Sequence, residues 1–230
     1  MRRVSTYVGP PARAALSLPF LLIAHSSSAG PAPNNPPPSV DQSWAVALFG
    51  GALTEYAFAN SFYSPGHFAD SYLAGVDGTY TYYSLTSLPL KLELDASAAK
   101  RFGQDNQWDF GVVPTFRWTS FPWNNTLYTN FRIGPVGVDY VTGVSPWELH
   151  WADNNHGSRF LNYFLVELDF RPSEASPLKV YVGWHHRSGA WGVWNGTYGG
   201  STYGIVGLRY HSDARDLRAA RARPSIVWGR

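Results

Sequence analysis

From Trp44 onward, apolar and polar residues alternate with a period of two. That is the repeat of an extended strand with two unlike faces, not the 3.6-residue repeat of a helix. In residues 89–98, Leu90, Leu92, Leu94, Ala96 and Ala98 fall on one face, while Lys91, Glu93, Asp95 and Ser97 fall on the other. In residues 159–170, Phe160, Phe164, Val166, Leu168 and Phe170 share a face with Asn162, and Arg159, Glu167 and Asp169 lie opposite. The same reading predicts strands over 43–56, 71–85, 89–101, 108–119, 130–142, 159–170, 178–187 and 202–211. Each is close to the roughly 9–11 residues that let a tilted strand cross a bilayer.

An even number of amphipathic strands is the arrangement of a bacterial membrane barrel. The fold class predicted is therefore all-β, an eight-stranded antiparallel transmembrane β-barrel. Eight strands enclose a space that side chains fill, so a packed polar interior is expected rather than a channel. Lys91, Glu93, Asp95, Glu167, Asp169, Lys179 and Arg209 are its predicted members. Connections 57–70, 144–158 and 188–201 are long, whereas 86–88 and 171–177 are short. Long connections belong on the outer side and short turns on the periplasmic side. Strand seven should then rise toward the outer leaflet. Connection 120–129 is longer than a turn requires.

Composition sharpens this picture. Charged residues make up only 15 % of the 230-residue chain and aromatics 16 %, a mixture suited to pleated, lipid-facing surfaces. A net charge of +2, with no basic stripe, gives no reason to expect nucleic acid as a partner. There is no cysteine, hence neither a disulfide framework nor a cysteine metal site. Arg2, Arg3 and Arg13 precede an apolar run, and Ser27-Ser28-Ala29 offers a cleavage site, the layout of a secretory signal peptide over 1–29. A Pro-rich linker (30–42), the barrel (43–211) and a basic C-terminal tail (212–230) complete the predicted organisation. Export through the signal peptide to a bacterial outer membrane is the expected localisation.

Candidate chemistry lies on strand seven. Val180, Val182 and Trp184 give its apolar face, and His186 and Ser188 continue that face one period apart. Neighbours at i and i+2 sit about 7 Å apart on a strand, within side-chain reach. A serine beside a histidine base is a nucleophile for acyl transfer, and this pair would face lipid. His156-Gly157-Ser158 repeats the tripeptide in a long loop, where it reads as a surface feature. His185 and His186 point to opposite faces and cannot share an ion. No cofactor or metal site is expected.

The stretch Trp184-His185-His186-Arg187-Ser188-Gly189, then Gly199-Gly200-Ser201 and Gly207-Leu208-Arg209-Tyr210, resembles the PagL-type lipid A 3-O-deacylases. Ser145-Pro146-Trp147-Glu148 and Asn155-His156-Gly157-Ser158-Arg159 look like segments of uncharacterised relatives of that family. The resemblance implies an eight-stranded barrel with a lipid-facing Ser-His-Glu site that removes an ester-linked 3-hydroxyacyl chain from lipid A without a metal. It makes His186 the general base, Ser188 the nucleophile, and lipid A (lipopolysaccharide) and outer-membrane lipid the partners. At the position of the family's Glu, however, this chain has Gly199, Gly200, Ser201 and Thr202, and Gly189 stands where the family has Asn. Ser201, or a carboxylate from another strand, is left to orient His186, with backbone N–H groups near Gly189 to bind an oxyanion. The alternative is a non-catalytic structural or adhesive outer-membrane barrel with a degenerate site. A soluble periplasmic β-sandwich is a third possibility.

Overall fold

Eight strands form, each close to where the alternation predicts it: β1 (Ser43–Thr54), β2 (Phe68–Ser84), β3 (Leu90–Gly103), β4 (Trp108–Trp118), β5 (Tyr128–Val141), β6 (Phe160–Arg171), β7 (Leu178–Ser188) and β8 (Gly200–Ser212). The computed structural model describes residues 43–55, 58–61, 66–85, 87–152, 155–172 and 176–212. The predicted signal peptide, linker and tail beyond Ser212 lie outside the described residues. Each strand pairs antiparallel with its sequence neighbours, and β1 also pairs with β8, closing the barrel. Closure satisfies every edge, which an open sheet in lipid could not do. None of the described helices is long and apolar enough to cross a membrane, so any crossing would be made by strands.

The pleat sorts side chains cleanly. Val46, Leu48, Val76, Leu94, Val112, Val138, Val182, Val206 and Leu208 are exposed on the outer surface. Aromatics flank this aliphatic band at both ends. At the short-turn end stand Trp44, Tyr80, Tyr82, Trp118 and Tyr210, and at the other Phe68, Tyr72, Phe102, Trp108 and Phe160. Tyr72 stacks on Phe102 with ring centroids 5.7 Å apart. An apolar belt between aromatic girdles is the exterior of a membrane barrel.

Inside, an apolar waist separates two buried ionic layers. Ala47, Phe49, Leu73, Ala99, Val113, Tyr163, Leu165, Tyr181 and Ile205 belong to the waist. Its tyrosines fit because glycines face them: a Cβ on Gly207 would lie 2.4 Å from the Tyr181 ring, and one on Gly111 2.6 Å from the Tyr163 ring. Toward the short turns, Arg132 binds Glu93, Asp95 and Glu167. Arg117 joins Glu93 to Asp169, Arg209 joins Glu167 to Asp77, and Lys179 lies 3.5 Å from Asp169. The predicted polar interior is thus present, but its hubs are Arg117 and Arg132, and Lys91 sits half-buried at a strand end.

The long connections gather at one end. Two carry short helices, α1 (Phe58–Ser61) and α2 (Pro146–Trp151). Ser145 caps α2, its hydroxyl accepting from the Glu148 N–H. Connection 104–107 is the short exception at this end. At the opposite end, the long connection 119–127 is braced by Asn124, whose amide donates to the Thr119 carbonyl at 2.8 Å and accepts from the Thr129 N–H at 3.0 Å.

Candidate active site

His186 and Ser188 occupy the last turn of the β7 pleat at the long-loop end, both on the outward face. The odd positions beside them, His185 and Arg187, are fully buried in the interior. Register places Phe164 of β6 and Thr202 of β8 on either side of His186, and Asn162 and Gly200 on either side of Ser188.

The imidazole of His186 is held from three directions. Its Nδ1 lies 2.8 Å from the Thr202 hydroxyl oxygen. The Phe58 ring, carried by α1, stacks on it at 4.3 Å, and Phe164 meets it edge-on at 6.3 Å. Phe58 also packs edge-on against Phe164 at 5.0 Å. Helix α1 is in turn tied down by Thr54, whose hydroxyl is 2.9 Å from that of Ser61 and donates to the Thr202 carbonyl at 3.1 Å. An aromatic lid therefore leaves His186 half-buried, with Nδ1 committed to Thr202.

One sequence-derived expectation is corrected and another is narrowed. The Ser201 hydroxyl does not orient His186: it faces inward, donating to Glu148 at 2.8 Å and accepting from Arg101 at 3.3 Å. The adjacent residue, Thr202, takes that place because successive strand residues alternate faces. The Gly189 N–H is not free for an oxyanion either, since it donates to the Gly199 carbonyl at 3.1 Å. Gly189 is required there for another reason, as a Cβ would fall 1.8 Å from the Thr197 carbonyl oxygen. The β7–β8 connection is tightly wound, with positive φ at Ala190 (47°), Trp191 (56°) and Asn195 (53°). It projects Trp191 and Val193 far into the surroundings, 89 % and 81 % exposed. His156 of the second tripeptide binds the Asn195 carbonyl at 3.0 Å, and Ser158 accepts from Asn195, so that copy braces loops.

Behind His186, inside the barrel mouth, lies the second ionic layer. Arg101 donates to Asp109 at 2.7 Å and lies 3.5 Å from Glu148 and 3.7 Å from Asp105. Arg187 lies 3.3 Å from Asp139 and 3.5 Å from Glu148. His185 sits between Asp109 and Asp139. The cap on α2 is what lowers Glu148 into this layer. No spacing signal could have revealed it, because six separate segments contribute.

No protein-family model and no curated protein matches the chain. Among solved structures it is similar to the outer membrane enzyme PagL, with a TM-score of 0.52 and 16 % identity over 72 % of this chain and 98 % of that one. Neisserial surface protein A gives a TM-score of 0.42 at 10 % identity, covering 73 % of this chain and 96 % of that one. The Yersinia pestis outer membrane protein Ail in a phospholipid bilayer nanodisc gives 0.38 at 10 %, covering 73 % and 99 %. The first likeness is one of fold: the closed eight-stranded antiparallel barrel.

Proposed function

We propose that this outer-membrane-type barrel is a serine esterase acting on lipid A, removing an ester-linked 3-hydroxyacyl chain, with Ser188 as nucleophile and His186 as general base. The observation that carries the reading is the placement of His186. It lies on the outward face at the long-loop rim, beneath an aromatic lid, with Nδ1 bound to Thr202. If Nδ1–H donates to the Thr202 hydroxyl, Nε2 keeps its lone pair for the Ser188 proton. Ser188 Oγ attacks the ester carbonyl as that proton passes to Nε2. The sugar oxygen leaves with the proton, giving an acyl-serine. Water, deprotonated by the same nitrogen, then releases the fatty acid and restores Ser188.

Thr202 supplies orientation but not the negative charge with which a carboxylate stabilises the imidazolium. A slower enzyme than an acid-bearing triad is expected. The same substitution favours the second reading, a non-catalytic barrel with a degenerate site, and so does the lack of a His186–Ser188 hydrogen bond among the described residues.

Mass spectrometry of lipid A from cells expressing the protein, beside cells expressing Ser188→Ala, separates the two. Loss of one hydroxyacyl chain with the parent alone supports the esterase. Intact lipid A with a folded parent protein in the outer membrane favours the non-catalytic barrel.

A further inference from the structure

The interior layer behind His186 carries a geometry that ion pairing alone does not account for. Asp109 on β4, Asp139 on β5 and His185 on β7 are all fully buried. One ligating atom from each lies within 4.8 Å of the other two. His185 Nε2 is 3.4 Å from Asp109 Oδ1 and 3.3 Å from Asp139 Oδ2. A charge-assisted N–H···O contact would settle at about 2.7–2.9 Å. Ligands on a tetrahedral ion with bonds of about 2.0–2.2 Å are held roughly 3.3–3.6 Å apart. Both contacts have the second spacing.

The surroundings point the same way. Arg101 occupies Asp109 Oδ2, and Arg187 lies against Asp139 Oδ1. Each carboxylate therefore turns its other oxygen toward the imidazole. Those two oxygens and His185 Nε2 are buried and have no hydrogen-bond partner. Guanidinium groups that fix carboxylates in this way act as an outer shell that orients ligands. The Tyr163 ring at 4.5 Å and the Phe49 ring at 6.5 Å hold the imidazole plane.

Charge completes the case. The buried carboxylates of this layer are Asp105, Asp109, Asp139 and Glu148, and its buried guanidinium groups are Arg101 and Arg187. A metal-binding imidazole is neutral, and with His185 in that form two negative charges are left over in a desolvated space, where unpaired charge is costly. One divalent cation cancels them.

We propose that Asp109, Asp139 and His185 bind one divalent transition-metal ion of the Zn2+ type inside the mouth of the barrel. Mixed imidazole and carboxylate donors suit such an ion, and three protein ligands leave a fourth position for water. The ion cross-links three strands that are not all neighbours. The proposal is independent of whether Ser188 is a nucleophile.

The test uses the full chain, refolded in detergent micelles and stripped with a chelator, then titrated with zinc chloride by calorimetry. Metal content is measured after gel filtration. One bound Zn2+ per chain is expected. His185→Gln and Asp139→Asn should weaken it by more than the roughly 10–100-fold seen for outer-shell partners. Asp95→Asn, a buried carboxylate of the other layer, should bind like the parent and controls for unspecific effects. Circular dichroism establishes that each variant is folded. Co2+ gives a second readout, a visible ligand-field band that His185→Gln abolishes. A folded parent that takes up no stoichiometric Zn2+ overturns the proposal. So do His185→Gln and Asp139→Asn variants that bind as tightly as the parent.

Discussion

The barrel holds two ionic layers, one on each side of an apolar waist, and they are built to different accounts of charge. The layer near the short turns sets Asp77, Glu93, Asp95, Glu167 and Asp169 against Arg117, Arg132, Lys179 and Arg209, leaving a single negative charge over. All of it comes from strands, and Arg132 alone reaches three carboxylates on two other strands. The layer at the mouth has twice as many carboxylates as guanidinium groups and draws Glu148 and Asp105 from connections. Burying an ion pair costs desolvation that only multiple, well-directed partners offset. The first layer meets that condition by itself and serves as a structural clamp. The second has fewer guanidinium partners per carboxylate, and it is there that a cation is proposed.

The difference predicts how each layer responds to substitution. The largest effect should come from Arg132→Met, which leaves Glu93, Asp95 and Glu167 facing one another. Loss of about 3–5 kcal/mol, the usual range for orphaning a buried ion partner, should appear in urea unfolding of the refolded protein. A milder outcome would mean that the first layer is less interlocked than its distances imply. Glu93→Gln should cost somewhat less, about 2–4 kcal/mol, because the amide keeps the shape while weakening the bonds to Arg117 and Arg132. Gly207→Ala probes the waist. It pushes the Tyr181 ring away from its place under Arg209 and breaks the bond from its hydroxyl to Asp77 (2.8 Å). Overpacking of this kind costs about 1–3 kcal/mol, readable from the same unfolding curve. Smallest of all should be Asp139→Asn in the metal-free protein, within about 1 kcal/mol of the parent, since it relieves part of the acid surplus. A loss as large as that of Glu93→Gln would erase the distinction between the layers.

The chain announces its strands because a face toward lipid and a face toward an ionic interior alternate at every residue. Leu94 is exposed and Glu93 and Asp95 are buried, as their spacing requires. Strand ends were less legible. Strand β2 begins at Phe68, not Ser71, because a bulge after Ala52 lets Thr54 pair with it. The outward placement of His186 and Ser188 followed from the same period. What held His186 did not, since Thr202 and Ser201 differ by one residue and strand register decides which of them turns outward. Phe58 was hidden for a different reason: it reaches His186 from a connection, where no repeat operates. The Asp109, Asp139 and His185 group, for which a metal is proposed, was not legible from the sequence, which gave no reason to expect a metal site. That reading tested neighbours in sequence, His185 and His186, whereas these three residues meet only once β4, β5 and β7 are wrapped into a cylinder.

Closure has a further consequence, for the order in which the chain could be written. Trp44 of the first strand stands opposite Ser212 of the last. The two ends of the cylinder's wall are thus side by side at the short-turn end, where β2–β3 and β6–β7 are joined by a few residues. A brief link there would complete a circular wall with no privileged beginning. New termini opened within residues 104–107 would leave every strand pairing and the ionic layer near the short turns in place, and would cut beside Asp105 of the mouth layer. For this architecture, which strand comes first is a matter of export and synthesis; the folded wall does not depend on it.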